Sequence, residues 1–208
     1  MTSNLELLTQ INLDDLVSSF GWQDYPIRAR VLRKLFLKPS QTFAKIMVDF
    51  DNAMEAYGLV DASRQIAKRF VQDVRVFGFD LIPDSAFLAL SNHPGMTDTV
   101  SIFCALKLPQ LKIIALDRPF LIALPNMSKQ LFFVKDDPAS RMTLVRQVSG
   151  HLRAGGAVLT FPAGEIEPDP DVYPGATESL QSWTDSVGVF IRMAPETAIL
   201  PMLVRNVI

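Results

Sequence analysis

The stretch of the chain that decides the fold is AFLALSNHPGMTD, residues 86–98. It begins with a continuous apolar run, AFLALS, which ends abruptly in Asn-His-Pro-Gly, as expected of a strand buried on both faces. A helical pattern follows over residues 97–107. Strands of this kind occur in parallel sheets that helices cover on both sides, so this stretch predicts an α/β fold.

The same alternation continues to the end of the chain. The apolar runs KIIAL, LFFV, AVLTF and AILPMLV are separated by helical or loop patterns, and a short strand, VRVF, precedes the deciding stretch. Besides the strand at residues 86–91, the predicted strands occupy residues 74–77, 112–116, 131–134, 157–161 and 198–204, with helices over 138–154 and within 179–194. We therefore predict a largely parallel central sheet flanked by helices.

The first third of the chain has helical patterns instead of strands. Residues 27–38 form one of them, Pro39 is expected to stop that helix, and Ser40 is expected to cap the next one. The chain is thus predicted to divide into a helical N-terminal lobe, residues 1–72, and an α/β domain, residues 73–208.

The helix predicted over residues 27–38 is amphipathic and basic. Its apolar side chains share one arc of the helical wheel, namely Val31, Leu32, Leu35 and Phe36, and most of its basic side chains lie opposite. Between Tyr25 and Val48 there is no acidic residue but six basic ones, namely Arg28, Arg30, Arg33, Lys34, Lys38 and Lys45. This side either contacts anionic lipid headgroups or an acidic acyl carrier protein, or it is the solvated side of a core helix.

Composition excludes several classes of protein. The chain has 208 residues and a net charge of −2, which argues against nucleic acid as a partner. No apolar run approaches the roughly 18 residues of a transmembrane helix, and the N-terminus has no pattern of a secretory signal. A single cysteine, Cys104, excludes a disulfide framework and a multi-cysteine zinc site, and its apolar helical position predicts a packing role. We expect an intracellular protein that does not cross a membrane.

The chain contains two histidines, and their settings differ. His151 falls inside a predicted amphipathic helix, where a structural or exposed position is expected. His93 comes directly after the buried strand, in a Pro-Gly turn, with Asp98 five positions further on in the first turn of a helix. Since parallel α/β sheets bind ligands beyond the carboxyl ends of their strands, His93 is the candidate functional histidine.

His93 and Asp98 are residue types that act together in proton transfer. A carboxylate can accept a hydrogen bond from one imidazole nitrogen, which leaves the other nitrogen to take a proton. The pair matches the base and its orienting acid in a hydrolytic triad, yet no Gly-x-Ser-x-Gly motif supplies a serine. We expect the nucleophile to be a hydroxyl or amine of the substrate. The alternative is an ordinary turn histidine beside an aspartate at a helix start.

A second candidate segment follows another predicted strand of the same sheet. FPAGE, residues 161–165, comes at the end of that strand, and Glu167 adds a further acidic side chain. Gly164 allows a ligand to approach the backbone closely, and the strand end is expected to bring this turn beside His93. The alternative is a plain Pro-Gly turn.

Together these segments resemble the glycerolipid acyltransferases, the family that contains the lysophosphatidate and glycerol-3-phosphate acyltransferases. SNHPGMTD, residues 91–98, resembles the family's Asn-His-x4-Asp signature, and FPAGE, 68 residues after His93, is similar to its Phe-Pro-Glu-Gly-Thr-Arg-Ser motif. The lead-in to His93 and ILPML, residues 199–203, resemble further family segments. The resemblance covers roughly residues 74–208.

The resemblance implies transfer of an acyl group from a thioester to a hydroxyl or amine of a glycerolipid-like acceptor. The thioester would be acyl-CoA or acyl carrier protein, acting as co-substrate, with no cofactor and no metal. His93 would act as general base and Asp98 would orient it, without an acyl-enzyme. The segment after the second strand would contact substrate through Phe161, Pro162, Ala163, Gly164 and Glu165.

The chain departs from the family pattern at the phosphate-binding motif. The sequence Ala163-Gly164-Glu165-Ile166 stands where the family usually has Glu-Gly-Thr-Arg. Because phosphate favours cationic partners and disfavours carboxylates, we do not expect glycerol-3-phosphate or lysophosphatidate bound in the usual way. The FPAG form is similar to the hemolysin-like and ornithine-lipid branch, which admits an amine acceptor. The remaining basic candidates for substrate contacts are Lys135 and Arg118, and the alternative for Lys135 is a solvated lysine at the end of a strand.

Two other functions fit the same fold. The eroded phosphate motif also suits a non-catalytic protein that binds lipid or acyl carrier protein, and a thioesterase would use water in place of the acceptor. On the main interpretation the protein is cytoplasmic and peripheral on the inner face of a membrane. Its expected partners include a lipid acceptor and no nucleic acid. The chain stops just after the last family segment, and either a compact version or a fragment is expected.

Overall fold

The structure is a computed structural model that describes residues 2–207, and the side chains of all of these except residues 2, 3, 179, 181 and 182. Its strands are β1 (Phe87–Ser91), β2 (Lys112–Leu116), β3 (Leu131–Val134), β4 (Ala157–Thr160) and β5 (Ala198–Met202). Its α-helices are α1 (Thr2–Ser19), α2 (Pro26–Phe70), α3 (Met96–Leu106), α4 (Pro119–Ile122), α5 (Pro125–Ser128), α6 (Pro138–Arg153) and α7 (Ser186–Met193). Short 3-10 helices occupy Phe79–Leu81 and Ala176–Ser182.

The five strands form one all-parallel sheet in the order β3-β2-β4-β1-β5. This confirms the predicted α/β fold with a parallel central sheet flanked by helices. Strand β1 lies between β4 and β5, with Leu90 in register with Thr160 on one side and Pro201 on the other. The segments that follow these three strands therefore leave the sheet side by side.

Burial of β1 on both faces of the sheet explains why its sequence is a continuous apolar run. Phe87, Leu88 and Ala89 of β1 are all almost fully buried, although consecutive strand residues point to opposite faces. On one face, Leu88 and Val158 join a core cluster with buried residues of α6 and α7, namely Leu144, Val148, Leu152, Phe190 and Ala194. The sheet is thus covered on both sides where β1 crosses it.

The predicted strand at residues 74–77 is wrong. These residues form no strand, and they are not part of the five-stranded sheet. Phe77 is 90% exposed, so the apolar pattern there does not reflect burial.

None of the described helices is long and apolar enough to span a bilayer.

The chain forms two compact units, which we call the helical unit and the sheet unit. Of the described residues, the helical unit contains 2–56 and 117–129, and the sheet unit contains 57–116 and 130–207. The boundary within α2 falls next to Gly58, whose dihedral angles (φ 81°, ψ 171°) interrupt the regular helix. The predicted boundary at residue 72 lies further along the chain, and the clustering of residues 117–129 with the N-terminal helices has no counterpart in the local sequence pattern.

Pro39 does not stop a helix, and Ser40 does not cap one. Helix α2 continues through both residues, and Ser40 is buried inside it. A proline within a helix removes one backbone hydrogen bond. The buried side chains of Leu32 and Ala44, on either side of Pro39, hold the helix in place through packing.

The apolar arc predicted for residues 27–38 is divided in the structure. Leu32 is buried and Phe36 is half-buried, whereas Val31 and Leu35 are exposed. Lys34 and Lys38 lie on the same side of the helix as Val31 and Leu35. The predicted separation of apolar and basic sides therefore holds for Leu32 and Phe36 but not for Val31 and Leu35.

Asp51 explains how residues 117–129 become part of the helical unit. Its buried carboxylate accepts hydrogen bonds from the backbone N–H groups of Asn126 (3.0 Å) and Met127 (2.8 Å), and from Asn126 Nδ2 (3.1 Å). These N–H groups lie at the start of α5, where a negative charge is favoured by the helix dipole. One carboxylate of α2 therefore anchors a segment more than 70 residues away.

We expect Asp51→Ala to lower the free energy of unfolding by about 3 kcal/mol, because each buried donor left without an acceptor costs roughly 1–3 kcal/mol. Chemical denaturation followed by circular dichroism measures the change. Asp49→Ala is the matched control, since the exposed Asp49–Lys45 pair is expected to contribute less than about 1 kcal/mol. Equal losses in the two variants would contradict this role for Asp51.

Candidate active site

Three loops meet at one edge of the sheet because their strands are neighbours. The loop after β1 carries Asn92 and His93, the loop after β4 carries residues 161–167, and the chain after β5 continues through Val204. The carboxyl ends of parallel strands lie at the same edge of a sheet, which is the usual position of ligand sites in such folds.

The structure brings His93 and Asp98 together. His93 Nδ1 lies 2.6 Å from Asp98 Oδ2, with Asp98 fully buried and the His93 side chain 27% exposed. The Pro-Gly turn makes this contact possible, since α3 begins at Met96 and returns Asp98 to the imidazole within its first turn. The predicted proximity of the two residues is confirmed.

Asp98 is held in one orientation by further hydrogen bonds. Its Oδ2 also accepts from the backbone N–H of Gly95 (3.1 Å), and its Oδ1 accepts from the backbone N–H and the hydroxyl of Thr99. A carboxylate in the first turn of a helix is further stabilised by the helix dipole. With Asp98 ionised, its carboxylate can only accept a hydrogen bond, so Nδ1 donates in this contact and Nε2 is the ring nitrogen left for a substrate.

Phe161 fixes the plane of the imidazole. Its ring stacks on that of His93, with centroids 4.4 Å apart and an interplanar angle of 23°. Phe161 begins the turn that also contains Pro162, Ala163 and Gly164, closed by a hydrogen bond from Gly164 N–H to the Phe161 carbonyl (3.0 Å). Gly164 has φ +73°, a left-handed conformation that favours glycine. The segment therefore lies beside His93, as expected, while the Glu165 side chain is exposed.

Glu167 connects this turn to the His93 loop, and sequence reasoning missed its role. Its backbone N–H donates to the His93 carbonyl (2.8 Å), and its Oε2 accepts from the His93 backbone N–H (2.9 Å). Its Oε1 accepts from Trp183 Nε1 (3.0 Å), and the side chain is 4% exposed. The sequence showed only an acidic residue near the turn, since nothing in a local pattern reveals a partner 74 positions away.

Asn92 and Asp169 hold the chain after β5 against the other two loops. Asn92 exchanges two hydrogen bonds with the backbone of Val204, at 2.8 and 2.7 Å. Buried Asp169 accepts from the backbone N–H groups of Asp171 (2.9 Å), Asn206 (3.1 Å) and Val207 (2.7 Å). The three loops are therefore joined by hydrogen bonds and not by apolar contact alone.

The hydrogen bonds of Asp169 predict an acid-sensitive loop. Burial by itself would raise the pKa of Asp169, but the N–H groups of Val207, Asp171 and Asn206, together with the Arg205 charge, outweigh it and lower the pKa. A carboxyl group with a lowered folded pKa stabilises the fold above its ordinary pKa of 3.8, and this stabilisation is lost as the pH falls through the folded pKa.

We expect Asp169→Asn to be less stable than the wild type at pH 7 and to lose less stability on acidification below about pH 4. Urea denaturation at a series of pH values gives both free energies of unfolding. The exposed Asp185 serves as a control through Asp185→Asn, which should follow the wild-type curve. A wild-type pH dependence in Asp169→Asn would contradict the prediction.

Two predicted contacts are not brought to His93 by the sheet. Lys135 is exposed at the end of β3, three strand spacings of about 4.8 Å each from β1. Arg118 precedes α4 in the helical unit, where it is exposed. The order of the strands, which the sequence does not reveal, separates Lys135 from the three joined loops.

Cys104 and His151 have surroundings that suit packing. Burial raises the pKa of the Cys104 thiol, an effect that the Arg64 charge partly opposes, so the thiol is protonated at neutral pH. The His151 ring lies against Gly156, where an added Cβ would be 2.3 Å from Nε2, and its edge meets Phe132. Burial lowers the pKa of His151, which favours the neutral ring.

Within residues 2–207, no group of three or more His, Cys, Asp or Glu side chains could hold a metal ion. No family model, curated protein or solved structure matches the chain.

Proposed function

We propose that the protein is an acyltransferase that moves a fatty acyl group from an acyl thioester to a hydroxyl or amine of a lipid-like acceptor. The observation that carries the proposal is the hydrogen bond between His93 Nδ1 and the buried Asp98 carboxylate at the carboxyl end of β1. It leaves a basic nitrogen on a partly exposed ring, beside a turn that follows the adjacent strand.

In the proposed reaction, His93 Nε2 takes the proton of the acceptor hydroxyl or amine as that atom attacks the thioester carbonyl. The carbon–sulfur bond then breaks, and the imidazolium returns the proton to the departing thiolate. Asp98 orients the ring and stabilises the imidazolium through the 2.6 Å contact. A positioned base of this kind contributes about 10²–10⁴-fold to the rate, and holding the two substrates together contributes further.

Hydrogen bonding within the site limits which backbone groups can stabilise the oxyanion. The N–H groups of His93 and Gly95 already donate to Glu167 and Asp98. The N–H groups of Met96 and Thr97, in the first turn of α3, take no part in these bonds and have no partner within the helix. We assign the oxyanion to them.

The charge of the turn bears on the class of acceptor. The exposed Glu165 stands where an arginine-containing motif would meet phosphate, and a carboxylate suits an amine better than a phosphate. We therefore favour an amine or hydroxyl acceptor without a phosphate at this turn, and acyl-CoA or acyl carrier protein as the donor. We place the reaction in the cytoplasm, on the inner face of a membrane, where such an acceptor would be found.

The test incubates the full chain with long-chain acyl-CoA or acyl carrier protein and a panel of lipid acceptors with hydroxyl or amine groups, and identifies products by mass spectrometry. We expect an acylated product with at least one donor and acceptor pair. Free fatty acid released equally with and without acceptor would indicate a thioesterase instead. No product and no hydrolysis with either donor would contradict the proposed function.

One observation favours a non-catalytic lipid-binding protein as a second candidate. The helical unit has an apolar groove of about 540 Å³ between α1 and α4, lined by Leu7, Ile11, Pro119 and Ile122 among others. A protein of this kind would retain fatty acid or lysolipid through purification without turning over any thioester. Mass spectrometry of the lipids extracted from the purified chain separates this candidate from the enzyme.

A further inference from the structure

The first turns of α2 expose a line of aliphatic side chains. Ile27, Val31 and Leu35 are 76%, 62% and 70% exposed, while Leu32, about 100° further round the helix from Val31, is buried. Residues spaced by four lie on one side of a helix, so the three side chains form one stripe about two turns long. Exposed aliphatic residues are common singly, but an aligned group marks an interaction surface.

Basic side chains lie within and beside the same stripe. At 100° per residue, Lys34 and Lys38 fall between the aliphatic residues, and all five side chains share an arc of about 100°. Arg28 and Arg30 border this arc, and all four basic residues are exposed. We call the surface formed by Ile27, Arg28, Arg30, Val31, Lys34, Leu35 and Lys38 the docking face.

Nearby charges do not neutralise the docking face. Arg33 and Lys45, which also belong to this basic segment, are already paired with Asp14 (2.6 Å) and Asp49 (2.8 Å). The acidic residue that precedes the helix in the chain is Asp24, which is exposed. None of the ion pairs among the described residues involves the four exposed cations of the face, so the face carries their positive charge.

Aromatic residues stand at the end of the face where α2 begins. Tyr25 is 51% exposed, and the Arg28 guanidinium lies 4.8 Å from its ring centre. Phe20 is 52% exposed and contacts the Trp22 ring at 5.3 Å. Tyrosine and tryptophan are enriched at the level of the lipid headgroups, where an apolar ring and a polar tip are both accommodated.

We propose that the docking face lies on the surface of an anionic bilayer. Ile27, Val31 and Leu35 enter the boundary between headgroups and acyl chains, and the four basic side chains contact lipid phosphates. An acidic protein would pair with the cations, but it would have to cover three aligned aliphatic side chains as well. A bilayer surface accommodates both the cations and the aliphatic side chains along the length of the docking face. The inference rests on the proposed function only for its setting at a membrane.

The test measures partition of the full chain onto sedimented lipid vesicles, without any substrate. One set of vesicles is phosphatidylcholine, and the other contains about one third phosphatidylglycerol. We expect binding to the anionic vesicles that weakens with salt, and at least tenfold weaker binding to the neutral ones. Lys34→Glu with Lys38→Glu should remove this preference, because each basic residue near an anionic surface changes the affinity roughly fivefold.

Val31→Glu with Leu35→Glu tests the aliphatic stripe and should weaken binding to anionic vesicles at least tenfold. Both residues are exposed, so circular dichroism should show an intact fold. Met142→Glu is the matched control, because Met142 is a 53% exposed apolar residue on α6, outside the face, and this variant should bind like the wild type. Wild-type binding by the double variant would overturn the proposal.

Two further results would also overturn it. The first is equal binding of the wild type to neutral and anionic vesicles, or to neither. The second is binding of a purified acyl carrier protein, lost in the same double variants, with no binding to vesicles. Because no thioester is present, these outcomes are independent of whether the chain transfers acyl groups.

Discussion

His93→Ala is expected to lower the rate of acyl transfer by about 10²–10⁴-fold, because it removes the base that takes the acceptor proton. The rate is that of acylated product formed from the donor and acceptor pair found active for the wild type. Asp98→Asn should act in the same direction, since an amide can donate a hydrogen bond to the imidazole and turn the proton to the wrong nitrogen.

The chain offers a matched control for the loss of His93. His151, the other histidine, lies on α6 near the opposite edge of the sheet, where that helix leads into β4. His151→Gln should transfer acyl groups at the wild-type rate per folded molecule, even if its stability changes. Comparable losses in both histidine variants would show that the effect of His93→Ala comes from the fold and not from proton transfer.

Glu167→Ala is expected to have the second largest effect, on both stability and rate. It leaves the His93 backbone N–H and Trp183 Nε1 without their acceptor, and each such buried donor costs roughly 1–3 kcal/mol. We therefore expect a loss of about 3 kcal/mol in the free energy of unfolding. The His93 loop would also lose its side-chain connection to the turn after β4. We expect kcat to fall because the imidazole is then no longer held in position.

Glu167 is a positioning residue, and a conservative variant distinguishes that role from general destabilisation. Glu167→Gln retains a carbonyl oxygen that can accept one of the two hydrogen bonds, so it should recover part of both the stability and kcat. Steady-state kinetics and urea denaturation measure the two effects, with the exposed Glu196→Ala as the control. If Glu167→Ala unfolds as readily as predicted but keeps the wild-type kcat at a temperature where it is folded, the positioning role is wrong.

The parts of the fold that could be predicted from sequence are those that depend on local patterns. Strands β1 and β4 are buried on both faces, β2 and β3 are mostly half-buried, and all four appear as short apolar runs bounded by turns. The helix after Asp137 carries its cap and its first-turn proline in the sequence itself. His93 and Asp98 could be paired because both belong to one strand-turn-helix stretch.

The parts that could not be predicted depend on contacts between distant segments. Asp51 and Asn126 are 75 positions apart, and Asn92 and Val204 are 112 apart, yet their hydrogen bonds decide how the loops and helices are held. The order of the strands, which leaves Lys135 away from His93, is likewise a property of the whole sheet. At Pro39, packing on both sides outweighs a local signal that usually ends a helix.

The most direct test of the central claim, that the His93 imidazole promotes direct transfer to an acceptor, compares thiol release with product formation. A thiol-reactive dye follows the donor, and mass spectrometry counts the acylated acceptor in the same reaction. We predict one thiol for each acylated acceptor, little release when the acceptor is left out, and loss of both signals in His93→Ala. Thiol release that does not depend on acceptor, or that continues unchanged in His93→Ala, would contradict the account.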